Sequence, residues 1–513
     1  MPAHGLVPLH PTVLLYCLVG MAFGVFVGAT PGLTATMGVA LVVPLSFYLP
    51  PEAGLALILG VSFTAIFSGD IPATYLRIPG TPASAAATLD SFALAQRGRA
   101  ALALTLDLWC SALGGVIGVL LLIGLAPQLA RVALHFSSYE YFWLGVLGLS
   151  LSAVVCVGST FRGLLAALLG MLAASVGIDM VSGIGRFTFG MAALAGGLNF
   201  IPAMIGLFGL SEVLRNLRSQ RPLTAAAVPA EDRTTATEVA GAIWRHKGTV
   251  VRSSVLGTLI GALPGAGADV AAWVAYGVAQ RLSRRPQEFG QGCAEGVIAP
   301  TSANNAAVAG AWIPALVLGI PGDSVTAVVL GALLMYNIKP GPLVFVQQGE
   351  QVRAIFLIAL LVQGLLIPAG YLGIRTFAWM LRMPRGVVLS GVVLFSVLGA
   401  YALRNSLFDV WLMAAFGVLG FVLEVWRVPL SPLILGMILG PMVEENLRVG
   451  LIKSGGDWTP FFTRPICAAI VGLLLLTLAA PLVWRVLRGA WRLDRGAQSA
   501  GAQSAAADHS SAS

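Results

Sequence analysis

Two consecutive asparagines, Asn304 and Asn305, sit inside "IAPTSANNAAVAGAWIPALVLGIPG" (298–322), a stretch otherwise greasy enough for a membrane interior. An asparagine amide carries both an acceptor oxygen and a donor NH2. It can ligate a cation through oxygen or hold a carboxylate through nitrogen. Thr301 and Ser302 place hydroxyls just before the pair. The same residues would also serve as a helix cap in front of a span, and both readings stand. Small polar residues gather at related places: Thr30, Thr34 and Thr36 flank Pro31–Gly32, while Ser62, Thr64 and Ser68 precede Pro79–Gly80, which Thr81 follows. Hydroxyls and amides bind carboxylates or sodium without the desolvation cost of full charges. Any one threonine is accounted for by a hydroxyl bonded back to the preceding turn. Their concentration beside Pro–Gly pairs is what points to a site.

The acids near apolar stretches are Asp70, Asp90, Asp107, Asp179, Asp269, Glu295, Asp323 and Glu424. An intramembrane carboxylate is a candidate ion or proton site. Asp70 and Asp269, each close to a Pro–Gly pair, are expected to couple transport to an ion. Asp107 is expected near the membrane surface, and Glu424 is expected to pair with Arg427, one turn away. A half-helix beginning near Thr81 or Asp323 would offer free N–H groups and a positive dipole end to an anion. Asp323 either joins that site or caps the helix.

Other chemistries lack their residues. The cysteines Cys17, Cys110, Cys156, Cys293 and Cys467 show no C-x-x-C spacing, so neither a disulfide framework nor a metal site is expected. There is no HExxH, Walker A or paired-carboxylate motif, which argues against a hydrolase or an ATP-driven pump. No enzyme activity and no cofactor are expected, only a coupling ion, sodium or proton. No filter-like repeat suggests a channel.

The elements that must position these groups follow from composition. The chain is 57% hydrophobic and 10% charged, against about 25% charged in soluble domains. Apolar runs recur at 11–29, 33–50, 53–70, 102–126, 142–157, 161–177, 187–210, 250–262, 354–370, 387–402, 407–423 and 466–484. Most approach the roughly 20 residues that cross about 30 Å of hydrocarbon. The expected fold is an all-α polytopic membrane protein with roughly 10–15 transmembrane segments. The net charge of +8 is carried by arginines in loops between spans, so it reflects lipid topology and not nucleic acid. The basic clusters, Arg215 to Arg252 among them, are expected in the cytoplasm. The first apolar run reads as a retained span.

Proline inside a span removes a backbone donor, and glycine permits non-helical angles. Broken backbone at membrane depth must be buried in protein or line a watery cavity. Breaks are therefore expected at Pro31–Gly32, Pro79–Gly80, Pro264–Gly265 and Pro321–Gly322, as discontinuous or re-entrant helices around a central site. "FVGATPG" (26–32) is matched by "LIGALPG" (259–265), and "LRIPGTPAS" (76–84) by "LGIPGDSVT" (318–326). The offsets are 233 (264 − 31) and 242 (321 − 79), so two repeats are expected, inverted if the charge topology holds. The expected division is a first membrane repeat at 1–212, a cytoplasmic polar linker at 213–249, a second repeat at 250–487, and a basic, then disordered cytoplasmic tail at 488–513.

With these motifs in place the chain resembles a known family. "GATPGLTATMG" (28–38) with "RIPGTPASAAATLD" (77–90), and "EGVIAPTSANNAAVAGAWIPALVLGIPGDSVTAVVLGALLMYNIKPGP" (295–342), look like the large membrane subunit of the tripartite tricarboxylate transporters. The similarity runs from about residue 15 to 480, and A-N-N-A, G-I-P-G and P-G-P at this spacing are highly specific. The resemblance implies a multi-pass secondary transporter of the bacterial inner membrane. It would work by symport with a small membrane subunit and a periplasmic solute-binding protein, taking up citrate or other carboxylates on a sodium or proton gradient. The family's motif positions fall on Gly28, Pro31, Gly32, Pro79, Gly80, Asn304, Asn305, Pro321 and Gly322. Thr301 stands where the family usually has glutamate, and Ser91 where it usually has glycine. The alternative is a stand-alone secondary transporter or channel for another small anionic solute.

Overall fold

Proline favours the first turn of a helix, where no amide partner is lost. Pro11 opens α1 (Pro11–Ala29) and Pro51 opens α3 (Pro51–Ser68), while Thr34 caps α2 (Ala35–Ser46) by accepting from the Met37 amide at 3.2 Å. The computed structural model describes residues 10–30, 32–155, 159–179, 183–218, 234–380 and 385–479. Pro31 and the tail expected at 488–513 lie outside the described residues.

The first half continues with α4 (Asp70–Leu76), α5 (Thr88–Gln96), α6 (Ala100–Ala133), α7 (Ser138–Val155) and α8 (Thr160–Ala174). A two-stranded hairpin pairs Gly177–Ile178 with Gly185–Arg186. After it come α9 (Ala192–Ala195), α10 (Phe200–Met204), a π-helical stretch (Ile205–Leu210) and α11 (Ser211–Arg218). The span expected at 187–210 is corrected here. Phe187, Phe189, Gly190 and Gly197 take positive φ, so helix cannot propagate through them. The spanning helix starts at Phe200 instead and runs to Arg218, with Asn199 accepting from the Ile201 amide at 3.0 Å.

Within the stretch expected to be a linker lies α12 (Ala236–Arg245), tied to the start of α6 by an Arg99–Glu238 ion pair. The second half holds α13 (Lys247–Gly261), α14 (Gly267–Leu282), α15 (Ala294–Leu318), α16 (Ser324–Met335), α17 (Val344–Gln347) and α18 (Gly349–Met380). It closes with α19 (Arg385–Ala402), α20 (Leu407–Val425), α21 (Leu430–Lys453), α22 (Pro460–Thr463) and a helix at Pro465–Ala479. Six described helices are long and apolar enough to cross a membrane, and shorter apolar helices accompany them. The chain is an all-α polytopic membrane protein.

The two expected breaks that follow a long helix are real ends. α4 stops at Arg77, whose φ is 57°, and α15 stops at Gly319, whose φ is 69°. Left-handed residues of this kind end helices by turning the chain out of the helical path. The extended segment after each break packs back on the helix before it.

Close contacts recur between the halves. A methyl group on Gly24 or Gly28 would come closer than 3.0 Å to the Val61 or Ala65 carbonyl, joining α1 to α3. At Gly257 and Gly261 the obstacles are the Ala303 and Ala307 carbonyls, joining α13 to α15. Gly80 lies against Gly28 and Gly69, just as Gly322 lies against Gly261 and Ala311. These partners stand 233 and 242 residues apart, the offsets of the sequence motifs. In lipid there is no hydrophobic force between helices, and small residues let backbones touch.

The halves also exchange partners: α6 packs on α15, and α18 packs on α3. α15 is the central element, buried at every position from Gly296 to Val317. An interior helix has no polar face, because it has no solvent side.

Candidate functional site

A cavity of about 340 Å³ lies where the two halves meet. Small-molecule pockets commonly run from about 300 to 1,000 Å³. Its wall is made of helix beginnings: Thr34 and Thr36 from α2, Gly267 from α14, Asp323 and Ser324 from α16, and Ser431 from α21. Thr81 adds the start of the segment after the Pro79–Gly80 break. The first amides of a helix have no partner within it, and the end carries about half a positive charge. Four such ends on one wall offer an anion its donors, against the carboxylates of Glu212, Asp269, Asp323 and Glu424 in the same lining.

Side chains finish the wall. The Thr36 and Ser324 hydroxyls share a hydrogen bond of 2.8 Å across the two halves. Asp323 caps α16: its Oδ1 accepts from the Thr326 amide and hydroxyl, both at 2.7 Å. Its charge is therefore held by its own helix, and the cap is the role it fills. Arg215 reaches Glu212 at 2.5 Å and Glu424 at 3.8 Å, and all three line the cavity. Glu424 pairs with Arg215 and not with Arg427, as had been expected. Arg427 falls past the end of α20 with a φ of 59°, which turns it off the helix path. Asp269, in the first turn of α14, is exposed to the cavity. A larger cavity of about 860 Å³ adjoins and shares Arg215, Asp269 and Glu424, with Arg218 and Arg427 at its wall.

A second group of polar residues lies buried between α4, α6 and α15. Asp70 is buried and faces Ser84, Asn304 and Asp107. Neither Asp70 oxygen has a hydrogen-bond partner, and the same holds for both amide atoms of Asn304 and for Asp107 Oδ2. Asp107 Oδ1 accepts from the Ser111 hydroxyl at 3.2 Å. Asn305 differs from its neighbour: its Nδ2 donates to the Ser111 carbonyl at 3.0 Å and to Gln363 Oε1 at 3.1 Å, tying α15 to α6 and α18.

A family model described as the tripartite tricarboxylate transporter TctA family matches residues 14–435. The chain belongs to that family. It is 36% identical over 480 residues to an "Uncharacterized 52.8 kDa protein in TAR-I ttuC' 3'region" of Agrobacterium vitis, covering 92% of this chain and 94% of the relative. An "Uncharacterized protein in TAR-II ttuC' 3'region" of the same organism is 39% identical over 208 residues, 40% of this chain and 86% of the relative. No solved structure matches. The chain is thus a multi-pass membrane component of a TctA-family transporter, a family whose transporters are tripartite.

The site residues expected from the sequence do not all meet at one place. Thr34, Thr81, Gly265, Asp269 and Asp323 line the cavity. Thr30 bonds back to the Phe26 carbonyl at 2.7 Å, as a single threonine does. Gly80 and Gly322 serve close helix contacts, with Pro79 and Pro321 just before them in the extended segments. Pro264 lies in the turn between α13 and α14 and packs against Gly148. Thr301, Ser302, Asn304 and Asn305 lie mid-helix in α15, whose N-cap is Cys293, so the helix-cap reading of the asparagines is wrong. Thr301 Oγ1 donates to the Val297 carbonyl at 2.9 Å, while the Ser302 hydroxyl faces Cys110.

Asp107 is fully buried and not at a membrane surface, the second correction among the acids. It sits two turns into α6, on the face that meets α15, a fact that the start of an apolar run does not reveal. Asp90 has a structural partner set. Its carboxylate accepts from the Tyr276 hydroxyl and from the amides of Gly290, Gly292 and Cys293, at 2.8–3.0 Å, and so anchors the loop before α15. Thr36, which the sequence already places beside a Pro–Gly pair, does reach the cavity; Ser324 could have been found as the first residue of α16 after the Pro321–Gly322 break, whereas Ser431, the second residue of α21, follows no such break.

Proposed function

We propose that the protein is the permease of a binding-protein-dependent secondary transporter, and that it takes up tricarboxylates or related carboxylates by symport with sodium or protons. The observation that carries this reading is the convergence of the N-termini of α2, α14, α16 and α21 on one cavity. A carboxylate placed there meets free amides, the hydroxyls of Thr36 and Ser324, and the guanidinium of Arg215. Asp269 faces the same space, so an anion entering beside it needs a positive charge for company. That is a reason for cotransport.

By the positive-inside rule the adjoining cavity, with Arg215, Arg218 and Arg427 at its wall, would open towards the cytoplasm. With Arg97 and Arg99 on that side too, the two repeats are inverted, and the enclosing membrane is the bacterial inner membrane. A periplasmic solute-binding protein would present the carboxylate to the other side, and a small membrane subunit would complete the assembly.

The test is uptake into proteoliposomes that hold this chain, its small membrane subunit and its solute-binding protein. Gradient-driven, saturable uptake of a labelled tricarboxylate or dicarboxylate is expected, and Ser324→Phe, which fills the cavity, should abolish it at equal membrane abundance. Uptake unchanged in Ser324→Phe would move the substrate out of this cavity. Absence of uptake for every carboxylate tried, under sodium and proton gradients alike, would sink the reading.

A further inference from the structure

We propose that Asp70, Asp107 and Asn304 form a binding site for one dehydrated, sodium-sized monovalent cation, separate from the carboxylate cavity and joined to it by the Thr81–Ser84 hydrogen bond. The proposal deepens the transport reading by giving the coupling ion its own place.

Two carboxylates lie side by side in the interior, and among the described residues no arginine, lysine or histidine forms an ion pair with either. A buried charge without a partner is costly, and a retained one marks function by default. The second observation is Asn304. It is wholly buried, it faces Asp70, and neither its oxygen nor its nitrogen finds a partner. An amide buried without partners forfeits on the order of 1–3 kcal/mol for each group. Together, the two Asp70 oxygens, Asp107 Oδ2 and Asn304 Oδ1 are four buried oxygen donors whose groups face one another. Ser84 Oγ faces the same carboxylate.

Hard oxygen donors select alkali and alkaline-earth ions over soft metals. Calcium takes 6–8 oxygens, more than this group provides, and magnesium demands near-ideal octahedral geometry and dehydrates reluctantly. A small monovalent ion fits the count. The backbones around it are tight: a methyl on Gly114 of α6 would come closer than 3.0 Å to the Ser302 carbonyl of α15, beside the asparagines.

The link to the substrate runs through the broken segment. Ser84 Oγ, facing Asp70, is 2.9 Å from Thr81 Oγ1, and Thr81 lines the carboxylate cavity. Gly80 donates its amide to the Gly69 carbonyl at 2.9 Å, fixing that segment next to Asp70. A cation drawn to Asp70 would hold Ser84 and, through it, the cavity wall at Thr81. Ion occupancy and carboxylate affinity would then favour each other, as linkage requires.

The experiment uses the purified full chain in detergent without any carboxylate. Its thermal midpoint is followed as sodium chloride replaces potassium or choline chloride at constant ionic strength, alongside direct binding of radioactive sodium. Saturable stabilisation by sodium, and not by potassium, is expected. Asp70→Asn, Asp107→Asn and Asn304→Ala should each weaken sodium binding on the order of 10–100-fold or more, since even outer residues of ion sites cost that much. Thr36→Val should keep the sodium response while losing any stabilisation by added carboxylate. Should one carboxylate variant fail to fold, Asn304→Ala and the remaining variant still decide the matter. Sodium binding that survives in all the folded variants overturns the site. So does sodium-independent stability whose dependence on pH vanishes in the carboxylate variants, because that result makes the pair a proton site. Neither outcome touches the carboxylate cavity, which the Ser324→Phe uptake test decides on its own.

Discussion

The two halves of the molecule share a scaffold and differ in chemistry. Gly28 against Ala65 and Gly261 against Ala307 are the same contact made twice. Asp70, however, is answered 242 positions later by Trp312, a buried indole, and Asn304 is preceded at that distance by Ser62, whose hydroxyl bonds back to the Ile58 carbonyl at 2.8 Å. The loop anchor Asp90 is answered by Ala332. Backbone-to-backbone contacts tolerate no side chain, so both copies must keep glycine. Side-chain positions away from those contacts are free to diverge. The glycine contacts recur in both halves, whereas the pair of buried carboxylates that no cation answers, Asp70 and Asp107, lies in the first.

That comparison can be broken at several strengths. Asp90→Ala should have the largest effect on folding, since it leaves three amides and a phenol without their acceptor. A loss of roughly 3–5 kcal/mol is expected, read as a lower thermal midpoint and lower membrane abundance. Ala332→Ser, at the matching position, should be mild by comparison. Gly28→Ala and Gly261→Ala should each cost about 1–3 kcal/mol from overpacking, and by similar amounts. One of the two glycine variants behaving like wild type in a thermal melt would show that the contacts are not equivalent.

Asn304→Asp, compared at equal membrane abundance, should alter the sodium dependence of uptake, because it adds a third carboxylate to a pair. Asn305→Asp should instead reduce abundance, because its donor nitrogen bridges α6 and α18. Equal phenotypes in the two asparagine variants would erase the distinction drawn between them. Trp312→Phe should cost about 1–3 kcal/mol, since it leaves a small cavity in a buried site but also removes an indole N–H that has no partner, and it should leave sodium binding intact. Loss of the sodium response in Trp312→Phe would mean that the second half holds an ion site too.

Much of the frame could be read from the chain because its signals are local. Pro11 and the apolar run after it define α1 to the residue, and the Pro–Gly pairs at 79–80 and 321–322 mark breaks because backbone rules act at the residue itself. The stretch 187–199 misled because hydropathy averages over glycines and left-handed residues that stop a helix. The candidate site was half legible. Helix beginnings after a break lead to Thr34, Thr81 and Asp269 in the cavity wall. Asp107 could not be placed, since an interior helix lacks the polar face from which orientation is read. Nor could the asparagines be separated: Asn304 and Asn305 are adjacent in sequence, yet 100° of helical rotation gives one a bridge and the other an unmet need.

The exchange of partners between the halves has a consequence in time. α6 ends at Ala133, and α15, whose backbone covers Gly114 and Gly118, begins only at Ala294. A chain growing by about 5–20 residues per second leaves that glycine face uncovered for roughly 8–30 s. During the interval α6 is a finished hydrophobic span with its principal neighbour not yet made. The first half therefore waits in the bilayer as a docking template. Ribosome pausing or truncation between residues 133 and 294 would leave behind a membrane-inserted fragment whose exposed small-residue stripe is ready to pair with the wrong helix.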